Sequence, residues 1–467
     1  MPLPMSPTDS VFLLVESRER PMHVGSLELF TPPEGADALD LRRMFEDAKA
    51  DDQVAPLFRK RARRSLSSLG QWSWETDRAF DLEHHVRHNA LPHPGRVLEL
   101  LALCSRLHST LLDRHRPLWE MHLVEGLADG RFAIYTKTHH AMVDGVSGLR
   151  LLARMLSPDS AERDMPPPWA PPRAGAHKAG RRPRPGGVAP SAITKHALGA
   201  VSDTAGLIPA LARTLNAAFT EHGGSLSVSA PKSMLNVEIT GARRFAAQSW
   251  PLERIRAVGK AGAATVNDVV LAMCSGALSR YLLDLDALPG APLIAMVPVS
   301  LHEADEERPA GDGGGNAVGA VMCNLGTDLA DPAQRLATVH RSMTEGKQLL
   351  RTMTPMQIIA MSAIGMSPLA LWPLLRLTGT ARPPFNLVIS NVPGPRQPMY
   401  WNGARLDGLY PLSIPLDGQA LNITCTSYSD DIAFGLTGCR RSVPHLQRLL
   451  THLDAELDAL TDATGAT

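Results

Sequence analysis

The run Thr136-Lys137-Thr138-His139-His140-Ala141-Met142-Val143-Asp144-Gly145 joins two kinds of periodicity. Before it, Phe132, Ile134 and Thr136 alternate with Ala133, Tyr135 and Lys137, as they would on a strand with two different faces. After it, Val146, Leu149, Leu152, Met155 and Leu156 recur at helical spacing. The histidine pair therefore falls at a strand-to-helix junction, which predicts an α/β fold and holds side chains rigidly while leaving them accessible. A buried imidazole at such a place is suited to take a proton near neutral pH, because its ordinary pKa is about 6.5. That is what activating a hydroxyl as a nucleophile requires, since a hydroxyl is a poor nucleophile until its proton is leaving. Asp144 is near enough in sequence to fix a tautomer, and Gly145 lets the backbone turn into the helix.

The chain has 467 residues, more than one ordinary core holds, so two domains are expected. Lysine plus arginine and aspartate plus glutamate both number 47, which gives no global electrostatic argument for nucleic acid. Cys104, Cys274, Cys323, Cys425 and Cys439 lack CxxC spacing, against a disulfide framework or a zinc site and in favour of a reducing cytosol. The first residues lack a basic segment followed by a long apolar run, so no signal peptide is expected. Thr352 to Leu375 is uncharged, but Pro355, Pro368 and Pro373 interrupt it. A buried helical hairpin or the wall of an acyl-chain pocket is expected there rather than a membrane span.

A Pro/Gly-rich basic stretch, residues 166–190, divides an N-terminal domain, 1–165, from a C-terminal one, 191–467. A glycine-rich spot at 308–315 separates two strand-like runs, Leu293 to Val299 and Ala317 to Leu325. Asp331-Pro332 opens a helix, Ser429-Asp430-Asp431 turns a hairpin, and the leucines from Leu446 to Leu460 line a terminal amphipathic helix. No Gly-x-Ser-x-Gly elbow, GxxxxGK[ST] loop or HExxH motif occurs.

His139-His140-x-x-x-Asp144-Gly145 resembles the HHxxxDG motif of the chloramphenicol acetyltransferase-like acyltransferases. More closely, the chain resembles the bacterial wax ester synthase/diacylglycerol acyltransferases, through Pro21-Met22-His23-Val24-Gly25, Pro117-Leu118-Trp119-Glu120, Asn267-Asp268, Pro298-Val299-Ser300 and Ser390-Asn391-Val392-Pro393-Gly394-Pro395, in that order. The resemblance implies two acetyltransferase-like domains with mixed sheets flanked by helices and a tunnel at their interface. It implies His140 as general base, His139 and Asp144 shaping the site, and no acyl-enzyme intermediate. The substrates it implies are a long-chain acyl-CoA and a fatty alcohol or diacylglycerol. No cofactor is expected, and the chain is expected to be cytoplasmic, visiting membrane or lipid-inclusion surfaces. Two rival readings are an acyltransferase drawing on a carrier-protein thioester and a lipid-binding protein without turnover, which would need no base.

Other motifs have plainer explanations beside the functional ones. Thr265 to Asp268 reads as a capping box, with Asp268 as cap and Asn267 as a candidate amide donor to the oxyanion. Pro117-Leu118-Trp119 reads as a packed corner, and Asn391, Pro393 and Gly394 as a turn. His84, His85, His88 and His93 read as structural histidines, and the basic run Arg59 to Arg64 as a solvated strand face or a patch for CoA phosphate or anionic lipid.

Overall fold

The structure, a computed structural model, describes residues 3–50, 53–64, 71–143, 148, 151, 155–171, 230–300, 318–354, 357–358 and 382–466. Asp144 and Gly145, residues 172–190 of the expected linker, the glycine-rich spot 308–315 and most of the apolar segment after Thr354 lie outside the described residues.

Two six-stranded mixed sheets organise the fold, with a three-stranded one beside them. The first large sheet contains β2 (His23–Thr31), β5 (Val86–Ala90), β6 (Trp119–Glu125) and β7 (Phe132–His139). It also takes in β12 (Tyr400–Trp401) and β13 (Ala404–Leu412) from far along the chain, giving the order β12-β13-β2-β7-β6-β5. The alternation read at residues 132–137 is this sheet's inner strand, β7, and its two faces are buried against different clusters. Phe132 and Ile134 pack with Phe30, Trp119 and Met121, whereas Ala133 and Tyr135 face helix α4 (Val97–His108) with Leu27 and Leu100. The small sheet runs β1-β4-β3, from β1 (Leu3–Pro4), β4 (Trp72–Thr76) and β3 (Lys60–Arg64). Helix α1 (Pro7–Val15), capped by the Ser6 side chain, lies between β1 and β2 in the chain.

The second large sheet has the order β10-β9-β11-β14-β15-β8. Its strands are β8 (Arg243–Pro251), β9 (Ile294–Ser300), β10 (Val318–Asn324), β11 (Leu387–Pro393), β14 (Leu421–Tyr428) and β15 (Asp431–Cys439). β11 runs parallel to both β9 and β14. Four helices pack with it into the largest buried cluster: α5 (Leu252–Ala261), α6 (Val266–Asp284), α7 (Pro332–Arg351) and α8 (Arg448–Thr464). Among the described residues no single helix is long and apolar enough to cross a membrane. Helix α6 with its predecessor α5 (Leu252–Ala261) passes on length and composition as a pair bent by 98°, but α6 is almost wholly buried, as a core helix is.

The two halves interlock. The Ser105 and Ser109 hydroxyls of α4 accept from the backbone N–H groups of Phe245 and Arg243 on β8. Strand β13 also crosses β15 so closely that a Cβ on Gly435 would lie 1.8 Å from the Pro411 carbonyl oxygen, so only glycine fits.

Candidate active site

The backbone of the histidine pair is pinned from both sides. His139 N–H donates to the Leu118 carbonyl at 2.9 Å, and His140 N–H donates to the Met22 carbonyl at 2.8 Å. The Pro21-Met22-His23 and Pro117-Leu118-Trp119 stretches are thus the two walls of the junction. Gly25 is glycine because a Cβ there would lie 2.5 Å from the Thr136 carbonyl oxygen on β7. Trp119 begins β6; its indole N–H donates to the Phe58 carbonyl, and its ring stacks on His85 at 4.7 Å.

The two imidazoles differ in setting. His139 is the fully buried one, while His140, expected to be buried, is only partly so. A strand alternates its side chains, so consecutive histidines at its end cannot share an environment. The partial exposure suits a group that must meet substrate. The His140 ring stacks on Phe12 of α1, with centroids 4.2 Å apart.

His139 Nδ1 accepts from the Ala141 N–H at 3.1 Å, which places the ring proton on Nε2. Glu16 Oε1 lies 3.3 Å from that Nε2; the angle is poor, so the contact is electrostatic rather than a hydrogen bond. Glu16 follows α1 and accepts from the Met22 N–H and from Arg114, whose guanidinium also reaches the Leu13 carbonyl at the end of α1. Burial pushes the Glu16 carboxyl up, but His139 and Arg114 override it and hold the group below its ordinary value. This buried carboxylate supports both histidines, one through its ring and the other through Met22.

Behind the pair lies a second buried charge. Lys137 Nζ, fully buried, bonds the carbonyls of Leu107 and Thr110 where α4 ends and lies 3.1 Å from Glu120. Carbonyls orphaned at a helix C-terminus favour a cation there. His23 and His108 are buried and neutral: burial pushes His108 down to about 3 and His23 well below its ordinary value. His108 accepts from the Tyr135 hydroxyl and donates to the Ser413 carbonyl, tying α4 to the chain just after β13.

The motifs of the second half gather elsewhere. Thr265 and Asp268 form the expected capping box, with α6 beginning at Val266, directly after the cap. Asp268 also accepts from His340 on α7 at 2.8 Å. Asn267 Oδ1 accepts from the Asn391 amide at 3.4 Å, so the Asn-Asp and Ser-Asn-Val-Pro-Gly-Pro stretches meet. Residues 390–393, expected in a turn, instead continue β11: Asn391 pairs with Cys425 and Pro393 with Ser427. Proline is tolerated because it ends the strand. Among the described residues, neither Asn267 nor Asp268 bonds to the histidine pair.

His85, read as structural, is sandwiched between Phe80 and Trp119 and pushed down to about 4 by burial. Among the described residues no group of three or more His, Cys, Asp or Glu side chains could hold a metal ion, and the five cysteines are free.

Comparison with known proteins identifies what this arrangement belongs to. The family model for the wax ester synthase/diacylglycerol acyltransferase catalytic domain matches residues 5–270, and that for the C-terminal domain of the same family matches residues 314–461. The chain belongs to this family. It is an acyltransferase. Two Mycobacterium tuberculosis proteins provisionally named as diacylglycerol O-acyltransferases are 51% and 50% identical to it, over 99% of this chain and 99% or more of their own length. The wax ester synthase/diacylglycerol acyltransferase from Marinobacter aquaeolei VT8 superposes with a TM-score of 0.79 at 43% identity, covering 99% of this chain and all of that one. The first condensation domain of the calcium-dependent antibiotic synthetase shares the fold alone, with a TM-score of 0.58 at 14% identity over 100% of this chain and 98% of its own. The expected α/β fold of mixed sheets flanked by helices is therefore the observed one.

Sequence reading missed Glu16, Phe12, Arg114 and His340. The signal that could have found Glu16 is a lone carboxylate ending an apolar helix, and it is a weak one.

Proposed function

We propose that this chain transfers a long-chain fatty acyl group from acyl-CoA to the hydroxyl of a fatty alcohol or a diacylglycerol, giving a wax ester or a triacylglycerol. His140 is the general base. It takes the proton as the hydroxyl oxygen attacks the thioester carbonyl, and returns it to the CoA sulfur as the carbon–sulfur bond breaks. The thioester is already an activated acyl group, so the reaction needs neither an acyl-enzyme intermediate nor a metal or redox cofactor. His139 and Asp144 shape the site, and Asn267, whose Oδ1 is held by Asn391, donates its amide to the oxyanion. Both acceptors partition into lipid, so the chain works in the cytoplasm against a membrane or lipid-inclusion surface.

The observation that carries this reading is the partly exposed His140, its backbone fixed between Met22 and Leu118 and its neighbour held by a buried carboxylate. A base set this rigidly typically contributes about 10²–10⁴ in rate. The test is release of free CoA from palmitoyl-CoA with hexadecanol or dipalmitoylglycerol, for wild type and His140→Ala. Acceptor-dependent release that falls by about that factor in the variant supports the reading. Release that no acceptor stimulates overturns the donor assignment and turns attention to carrier-bound thioesters.

A further inference from the structure

We infer that the outer face of α1, together with the basic β3–β4 hairpin beside it, is the surface that docks on anionic lipid and presents the acceptor to His140. This rests on the lipid-surface part of the function proposed above. Helix α1 has two apolar faces. The inner one places Phe12 on the His140 ring and buries Leu13 in a cluster with Ala141. The outer one leaves Val11 48% and Leu14 60% exposed, three residues apart and hence on one side. Soluble helices turn such side chains inward. The other large exposed apolar side chains among the described residues are spread over α2 (Ala38–Ala50), α4 and α6.

The hairpin supplies charge of the matching sign. Strand β3 carries Lys60, Arg61, Arg63 and Arg64, and the two strands hold one carboxylate, Glu75, which Arg61 and Arg63 share. Trp72 and Trp74 of β4 pack against the same cluster as Phe12 and Leu13. A helix exposing aliphatic side chains, flanked by half-buried tryptophans and a surplus of arginine, is the composition that settles at a bilayer interface, apolar face down and cations at the phosphates.

Geometry supplies the purpose. An α-helix with its side chains is about 10–12 Å across, and an interfacial helix sinks its apolar face about 5–10 Å into the headgroup and acyl boundary. His140, on the opposite side of α1, then lies near headgroup level. The hydroxyl of a diacylglycerol or fatty alcohol sits at that level while its tails remain in lipid.

The test is flotation of the full chain with vesicles of phosphatidylcholine containing phosphatidylglycerol, and with phosphatidylcholine alone. Wild type is expected to float with the anionic vesicles, less so in high salt. The Val11→Glu/Leu14→Glu variant should bind at least about tenfold more weakly, since two side chains no longer enter lipid. Val11→Trp/Leu14→Trp should bind more tightly, an effect that misfolding would not produce, and Leu283→Glu on α6 should bind as wild type does. CoA release with a short water-soluble alcohol should be unchanged in all three variants. If wild type floats and both α1 variants float equally well, α1 is not the surface and the inference falls while the lipid-surface reading stands. If wild type floats with no vesicle, both fall.

Discussion

Replacing Glu16 with alanine tests whether the histidine pair depends on the carboxylate beneath it. The substitution removes the oxygen facing His139 Nε2, the acceptor of the Met22 N–H and the partner of Arg114 at 2.7 Å. Arg114 is 37% exposed and can turn to water, so it adds little to the loss. The Met22 N–H is interior, and leaving it without an acceptor costs about 1–3 kcal/mol, which is the loss of stability expected. The larger effect is on rate. Met22 holds the His140 backbone through its carbonyl, and a misplacement of about 1 Å costs about 10²-fold in a reaction that relies on alignment. Glu16→Gln keeps an acceptor for the Met22 N–H and should retain most of kcat near neutral pH. The pH dependence separates charge from shape. A carboxyl held below its ordinary 4.5 adds stability above that pH and loses it as the pH falls through the lower folded-state value. That acid-side loss should be present in wild type and absent from Glu16→Gln. The assays are acceptor-dependent CoA release and thermal midpoint from pH 3 to 7. A Glu16→Ala variant with wild-type kcat and an unmoved midpoint would refute the reasoning.

Glu28 is buried with only Ser26 bonded to it, its other carboxylate oxygen has no partner, and burial raises its pKa to about 8. Its favourable contribution is complete below about pH 4.5 and drains away as the pH rises through 8. Glu28→Gln should therefore flatten the alkaline fall in thermal midpoint, and an unchanged slope between pH 6 and 9 would count against a protonated Glu28. Glu456→Ala strips the buried Arg335 of its carboxylate and should destabilise the second half by about 3–5 kcal/mol, measured by denaturant unfolding. Gly435→Ala drives a methyl group into the Pro411 carbonyl and should part β13 from β15, lowering the midpoint and CoA release together; a fold and rate like wild type would show that the crossing tolerates a wider gap. Asn391→Ala removes the amide that reaches Asn267 and should lower kcat more than it raises KM if Asn267 acts on the oxyanion, whereas a change in KM alone points to substrate binding.

How much of this was legible depended on whether a feature is contiguous. The alternation through Tyr135, the capping box at Thr265 and the hairpin around Ser429 are set by residues adjacent in sequence, and they appear at the expected places. Residues 390–393 misled, because proline and glycine weigh toward a turn in any local reading. Whether a neighbouring strand holds such a segment extended is decided by β14, which no local window contains. The histidines were legible as a pair, but not which of them is buried. That is fixed by the side of β7 each occupies and by Glu16, which approaches from the other end of the domain.

The same non-locality explains why the histidine pair at the end of β7 needs the whole chain. Strand β7 is interior to its sheet, flanked by β2 and β6, and β2 on its far side is paired by β13 from Gly25 to Thr31. Met22, which fixes His140, directly precedes β2, and β13 bonds β2 as far as Gly25. Just beyond β13, the Ser413 carbonyl accepts from His108, whose own carbonyl accepts from His23. Each link is an ordinary buried hydrogen bond worth about 1 kcal/mol net, yet in series they set the position of the Met22 carbonyl. The second half therefore reaches the histidine pair as a clamp on β2, and the clamp is what a motif search along the sequence has no means of reading.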